Sequence, residues 1–109
     1  MSFTLPDKPG FNHAVYAKLL TVPKGKVTTY GALAMALGTR ASRAVGNAMN
    51  KNPYIPEVPC HRVIKSEGTL GGYAGGEHRK RARLISEGIK FEKKNGKERI
   101  KEEYILRTL

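Results

Sequence analysis

Three prolines, Pro53, Pro56 and Pro59, fall within the eight residues Asn52–Pro59 and exclude both a helix and a central strand from the middle of this chain. Each lacks a backbone N–H and fixes φ, so the stretch must run as a stiff, extended connection. The segment on its C-terminal side is therefore held at a set place relative to the segment before it. That segment begins Cys60-His61-Arg62-Val63 and carries the only cysteine of 109 residues. A single thiol forms no internal disulfide, and an imidazole and a guanidinium beside it are groups that favour thiolate over thiol. A lone cysteine is more often a small buried hydrophobe, so its surroundings must decide.

The length suits one small domain, 1–109, with a modest core and no separate cofactor domain. No apolar run approaches 18 residues, and no basic-then-apolar leader opens the chain. The expectation is a protein without a membrane partner, cytoplasmic, or nuclear in a eukaryote. A free cysteine agrees with a reducing compartment. The net charge is +11, and no acidic residue occurs from Lys8 to Pro56, a segment holding Lys8, Lys18, Lys24, Lys26, Arg40, Arg43 and Lys51. Such a field favours a polyanionic partner, nucleic acid first. Charge alone leaves DNA, RNA and acidic membranes equivalent.

Phe11, Val15, Leu19 and Leu20 recur at helical spacing until Pro23-Lys24-Gly25, which predicts a helix over roughly 11–21. Thr28 or Thr29 is placed to cap a helix over Tyr30–Leu37 that Gly38 ends, and Thr39 to cap the next, roughly Arg40–Asn50. Two short helices about a glycine turn form a helix-turn-helix, over about 28–50. The second is thin: Ala41, Ser42, Ala44, Gly46 and Ala48 carry little bulk, Val45 and Met49 supply an apolar pair, and Arg43, Asn47 and Asn50 share the other face. Beyond an active-site loop at 52–64, glycines surround Tyr73, His78–Ser86 reads as a helix closed by Glu87-Gly88, and Asn95-Gly96 marks a hairpin turn between Lys90–Lys94 and Lys97–Lys101. Ile100–Leu106 fits strand or helix. The fold class is mainly α with a small β component, a winged-helix-like helix-turn-helix domain.

His13, His61 and His78 with one cysteine lack the paired spacings of a zinc site, and the glycines near Tyr73 lack the Gly-Lys-Ser/Thr ending of a phosphate loop. No metal and no cofactor is expected. What remains is a thiol in a basic helix-turn-helix domain.

Val27-Thr28-Thr29-Tyr30-Gly31, Ala41-Ser42-Arg43-Ala44-Val45-Gly46, Asn52-Pro53, Pro59-Cys60-His61-Arg62-Val63-Ile64, Gly71-Gly72-Tyr73-Ala74-Gly75-Gly76 and Glu87-Gly88 occur in this order. In these motifs the chain, from about Phe11 to Phe91, resembles the DNA-binding and active-site domain of the O6-alkylguanine DNA alkyltransferases, the methylated-DNA–protein-cysteine methyltransferases. The resemblance implies a monomer that binds the minor groove of duplex DNA containing alkylated guanine and transfers the alkyl group irreversibly, once, to Cys60. O4-alkylthymine is a candidate second substrate.

The same resemblance assigns roles by position. Arg43 matches the arginine that fills the gap left by a rotated nucleotide, and Tyr30 the tyrosine that turns the phosphate and then serves the leaving base. Thr29, Ala44, Gly46 and Asn47 fall on the DNA-binding part, with Ala44, Gly46 and Ala48 letting the backbone sink into the groove. His61 acts on Cys60 through a water, because adjacent residues of an extended segment point apart, and Glu87 orients His61. Asn52 braces the turn carrying the cysteine. Val63, Tyr73, Ala74 and Met49 line the substrate pocket. Many members carry an additional N-terminal domain, which this chain is expected to lack. Ala74 stands where many have serine. Alkyltransferase-like proteins, which bind alkylated DNA without transfer, usually replace the cysteine by tryptophan; they are the alternative reading. The segment after Phe91 lies outside the resemblance, with packing and charge its only expected roles.

Overall fold

A computed structural model describes residues 3–73 and 75–109. Helix α1 (Phe11–Leu19) leads into strand β1 (Val27–Thr29), helices α2 (Tyr30–Ala36) and α3 (Ser42–Asn50), a 3-10 turn at Cys60–Arg62 and strand β2 (Val63–Ile64). Helix α4 (Glu77–Ser86), the hairpin of β3 (Phe91–Lys94) and β4 (Lys97–Ile100), a second 3-10 turn and strand β5 (Ile105–Leu106) complete the chain. The mainly helical fold with a small β part is the expected one.

Local chemistry explains the helix-turn-helix. The Thr29 hydroxyl accepts the Ala32 N–H at 3.0 Å, satisfying one of the donors left open at the start of α2. Gly38, at φ +76°, then lets the chain reverse: its N–H reaches the Met35 carbonyl and the Thr39 N–H reaches that of Ala34, both at 3.0 Å. Those two bonds are the closing pattern of a helix that ends on a left-handed residue. Thr39 does not cap α3 as expected. Its hydroxyl accepts the Ala41 N–H at 3.1 Å in a local turn, and the helix starts later, at Ser42. Helix α1 likewise stops at Leu19, short of 21, where Leu20 and Thr21 turn back on Tyr16 and Lys18.

Val15, Leu19, Leu33, Val45, Ala48 and Met49 join α1, α2 and α3 in one core that also takes in Val58, Cys60 and Val63. The buried Tyr16 hydroxyl donates to the Ala48 carbonyl at 2.8 Å and fastens α3 to α1. A second core gathers Val27, Ile64, Leu70, Leu84, Ile89, Ile100 and Ile105. Between them runs a parallel sheet in the order β2-β1-β5. The tail therefore does more than pack: Val27 pairs with Ile105 and Thr28 with Leu106, and the ambiguous 100–106 segment resolves into a turn followed by an edge strand. The expected hairpin forms, with Phe91 opposite Ile100 and Lys94 opposite Lys97. Among the described residues, no helix is long and apolar enough to cross a membrane.

Candidate active site

Asn52 sets the loop that carries the cysteine. Its Nδ2 donates to the Val58 carbonyl at 3.0 Å, and its Oδ1 accepts the Tyr54 N–H at 2.8 Å, so one buried amide closes the proline-rich segment from inside. That segment curls into turns, with the Val58 N–H on the Tyr54 carbonyl at 2.8 Å, rather than running extended as expected. The chain then enters a 3-10 turn at Cys60–Arg62 rather than the extended path expected there. With three residues per turn, successive side chains splay by about 120°. Among the described residues no hydrogen bond joins His61 to Cys60; the reason is the tight turn, not the alternation of a strand.

His61 is 1% exposed, and its Nε2 lies 2.8 Å from Oε2 of Glu87. Glu87 reaches it because α4 ends where it does. Gly88, at φ +90°, donates to the Ile85 carbonyl and Ile89 to that of Leu84, while Leu84 and Ile89 meet in the second core. This pattern leaves a carboxylate at a helix C-terminus, where the dipole disfavours it. Arg62 offsets that: its Nε and Nη2 donate to the two Glu87 oxygens at 2.9 Å each, and its Nη1 donates to the Val22 carbonyl at 2.9 Å. Burial by itself pushes the Glu87 carboxyl up, but hydrogen bonds from Arg62 and His61 outweigh it and hold the group below its ordinary 4.5. Burial pushes His61 below 6.5 against the pull of Glu87, so the ring is neutral near pH 7. A neutral imidazole facing a carboxylate places its proton on Nε2, leaving Nδ1 as an acceptor.

Arg62 is thus committed to Glu87 and is not the cation beside the thiol. Burial raises the Cys60 thiol above 9.0; the Asn52 side chain and the charges of Lys80 and Arg83 pull it back only in part. Sequence reading missed both cations. Lys80, fully buried on α4, donates to the carbonyls of Val63 and Leu70, each at 2.5 Å, and of Gly72 at 3.3 Å. Burial lowers it to about 8. It fastens the strand leaving Cys60 to the glycine loop leading to Tyr73. A lysine in a charged helix reads as surface, and only the helical spacing from Lys80 to Leu84, which puts both on one face, hinted otherwise.

Cys60 opens on a cavity of about 170 Å³ lined also by Met49, Asn50, Ile55, Gly72 and Tyr73. That is smaller than the ~300–1,000 Å³ of drug-sized sites and on the scale of a single base. Met49 and Tyr73 were expected there; Asn50 and Ile55 were not. Val63 is not among the residues lining this cavity; its side chain is wholly buried in the core and its carbonyl accepts from Lys80. Ala74 lies outside the described residues. Tyr30 stands half-buried at the start of α2, its hydroxyl 3.3 Å from the point where a Cβ on Gly71 would sit. Burial raises its pKa above 10.0, so the phenol keeps its proton as a donor.

Next to this cavity, and sharing Asn50 with it, Tyr30, Ser42, Arg43, Gly46 and Asn47 form a shallow surface depression. Arg43 and Asn47 are exposed, while Ala44 and Gly46 are half-buried. A Cβ on Gly46 would meet nothing within 4 Å, so nothing inside the molecule demands a glycine in mid-helix. Ala48, by contrast, is wholly buried against Tyr16 and offers no groove-facing surface. Thr29, expected both to cap α2 and to lie on the DNA-binding part, is 4% exposed, and its hydroxyl is occupied by the cap. Among the described residues no group of three or more His, Cys, Asp or Glu side chains is placed to hold a metal ion.

Residues 10–89 match the family described as 6-O-methylguanine DNA methyltransferase, DNA binding domain. A methylated-DNA–protein-cysteine methyltransferase of Saccharolobus solfataricus is 48% identical over 81 residues, 74% of this chain and 52% of that protein. One of Shigella flexneri is 49% identical over 89 residues, 78% of this chain and 52% of its own length. The chain therefore spans about half the length of these curated relatives. The structure of Mycobacterium tuberculosis OGT in complex with DNA superimposes with a TM-score of 0.71 at 46% identity, covering 74% of this chain and 51% of the other. Schizosaccharomyces pombe Atl1, in complex with damaged DNA containing O6-carboxymethylguanine, gives 0.76 at 35% identity over 88% of this chain and 94% of its own. With its helix-turn-helix, its cysteine turn and its His61–Glu87 pair lying inside the matched region, this chain belongs to the 6-O-methylguanine DNA methyltransferase family, as its DNA-binding domain.

Proposed function

We propose that the chain repairs O6-alkylguanine in duplex DNA by a single irreversible transfer of the alkyl group to Cys60. The observation that carries this reading is the position of Cys60: it faces a base-sized cavity while the next residue, His61, is buried against Glu87. Relatives with about half their length matched bear the methyltransferase name, and the OGT and Atl1 structures contain DNA.

On this reading α3 enters the minor groove by its Ala44 and Gly46 side, and Arg43 takes the place of the nucleotide that rotates into the cavity. Flipping costs a few kcal/mol, less for a damaged base. The thiol is protonated at rest, because burial raises it. Its proton passes through a water to Nδ1 of His61, whose imidazolium form the Glu87 carboxylate stabilises. Sγ then attacks the alkyl carbon, the S–C bond forming as the C–O6 bond breaks. Guanine leaves with the electron pair, and the Tyr30 hydroxyl donates to it. The product is a thioether, so each chain acts once.

A second reading, lesion binding without transfer, is favoured by one observation: the likeness to Atl1 runs through 88% of this chain, farther than the 74% shared with OGT. Intact mass after incubation with a duplex containing O6-methylguanine separates the two. Gain of one methyl group, absent in Cys60→Ala, is the expected result. Tight binding with unchanged mass would leave the lesion-binding reading standing and remove the first.

A further inference from the structure

The β3–β4 hairpin breaks its own charge pattern at the tip. Of its outer cross-strand pairs, Glu92 faces Arg99 and Lys93 faces Glu98, both opposite in sign, but Lys94 faces Lys97. Like charges directly opposite on antiparallel strands destabilise a hairpin. The turn between them fixes the conflict in place: Asn95 at φ 53° and Gly96 at φ 78° make the tight two-residue connection that sets both lysines side by side.

Among the described residues no carboxylate forms an ion pair with either lysine. Glu98 accepts two hydrogen bonds from Arg81, at 2.7 and 2.9 Å. Glu92 lies 3.5 Å from Arg99, and Glu102 is shared by Arg99 and Arg107. Glu67, which lines a groove of about 370 Å³ with Thr69, Lys94, Asn95, Lys97 and Arg99, accepts the Thr69 hydroxyl at 3.2 Å. Among the described residues it forms no ion pair within 4 Å with either lysine. Both lysines are exposed.

The hairpin is tied to the turn at 65–69. Ile100 N–H donates to the Gly68 carbonyl at 2.9 Å, Arg107 Nη1 donates to that of Ser66 at 2.9 Å, and the Arg99 guanidinium covers Gly68 so closely that a Cβ there would lie 3.1 Å from Nε. From this 65–69 turn the path to α3 is short. A Cβ on Gly71 would touch Tyr30 on one side and the Lys65 stem, at 3.6 Å, on the other. Tyr30 in turn shares its depression with Arg43. Neighbouring contacts thus link Arg43 and Tyr30 through Gly71 to Lys65 and Thr69, and Thr69 shares its groove with Lys94 and Lys97, which among the described residues form no ion pair.

We propose that Lys94 and Lys97, with Lys65 between them and α3, form a second contact for the phosphate backbone of duplex DNA, widening the footprint beyond the helix-turn-helix. This rests on the DNA-binding reading above. A row of phosphates supplies the charge that relieves the Lys94–Lys97 conflict.

Duplex affinity measured across salt concentrations tests this, comparing the unaltered protein with Lys94→Gln/Lys97→Gln. Each lost phosphate contact lowers the slope of log affinity against log salt by about 1, so the double variant should be shallower by about 2. Its reaction with free O6-benzylguanine should be unchanged, because neither lysine lines the Cys60 cavity. An unaltered slope and affinity in the variant, beside firm binding by the parent, would overturn the hairpin contact and leave the proposed function standing. Failure of the parent itself to bind duplex DNA would instead remove the proposed function and this contact together.

Discussion

Nε2 of His61 and Oε2 of Glu87 lie 2.8 Å apart, although the residues are 26 positions apart in the chain. The pair is closed from outside by Arg62 and keeps a neutral imidazole next to an ionised carboxylate. Its folded pKa values are both depressed, so both groups contribute stability that is present above the ordinary values of 6.5 and 4.5 and is lost as pH falls through the folded ones.

The rate of transfer to Cys60 should depend on the same neutral imidazole, falling as acid protonates it below pH 6.5. His61→Ala should slow transfer at pH 7 by on the order of 100-fold and recover as rising pH forms thiolate directly. Quenched-reaction mass spectrometry over a pH series reads both. A variant slowed equally at every pH would make His61 a packing residue only.

Lys80 holds three carbonyls from the two segments that frame the cavity. Lys80→Met leaves those acceptors buried without a donor and should cost at least about 2 kcal/mol in denaturant unfolding. It also removes a charge that pulls the Cys60 pKa down, so iodoacetamide should label the thiol more slowly at a fixed pH near 7, where Lys80 is still protonated. Destabilisation without any change in labelling would confine Lys80 to a structural role.

Gly46 has open space where its Cβ would be. Gly46→Ala should therefore stabilise the protein by about 0.5–1 kcal/mol through helix propensity, seen as a higher Tm. Gly46→Gln should fold equally well yet bind a lesion duplex more weakly, since its side chain stands where a groove wall would be. Full binding by Gly46→Gln would argue that α3 does not approach DNA by this side.

Asn52 joins Tyr54 to Val58 through one buried amide. Asn52→Ala should lose about 1–3 kcal/mol of stability in thermal or urea unfolding, because both loop partners are left unpaired. Asn52→Asp keeps only the acceptor and should fall between. An unchanged urea midpoint for the alanine variant would show that the prolines alone set the loop.

Much of this is legible along the chain because it depends on neighbours in sequence. Gly38 ends α2 and Gly88 ends α4 through bonds that span five residues or fewer, and Asn95-Gly96 turns the hairpin. The motif order places Cys60, His61 and Glu87 in one site without any distance. Thr29 caps α2 as its spacing predicts, whereas Thr39 misleads because a local turn to the Ala41 N–H takes the hydroxyl that would have capped α3.

The sequence by itself determined the punctuation: where helices stop, that the middle of the chain is stiff, and that one thiol comes directly after it. These are consequences of fixed φ, missing N–H groups and left-handed glycines, all of which act within a turn. Tertiary structure alone decided which charges meet. Arg62 turned from the thiol to Glu87, Lys80 left the surface for three carbonyls, and the tail entered the sheet beside β1. Those outcomes depend on which donors and acceptors burial leaves without water, and that is settled only when distant segments pack.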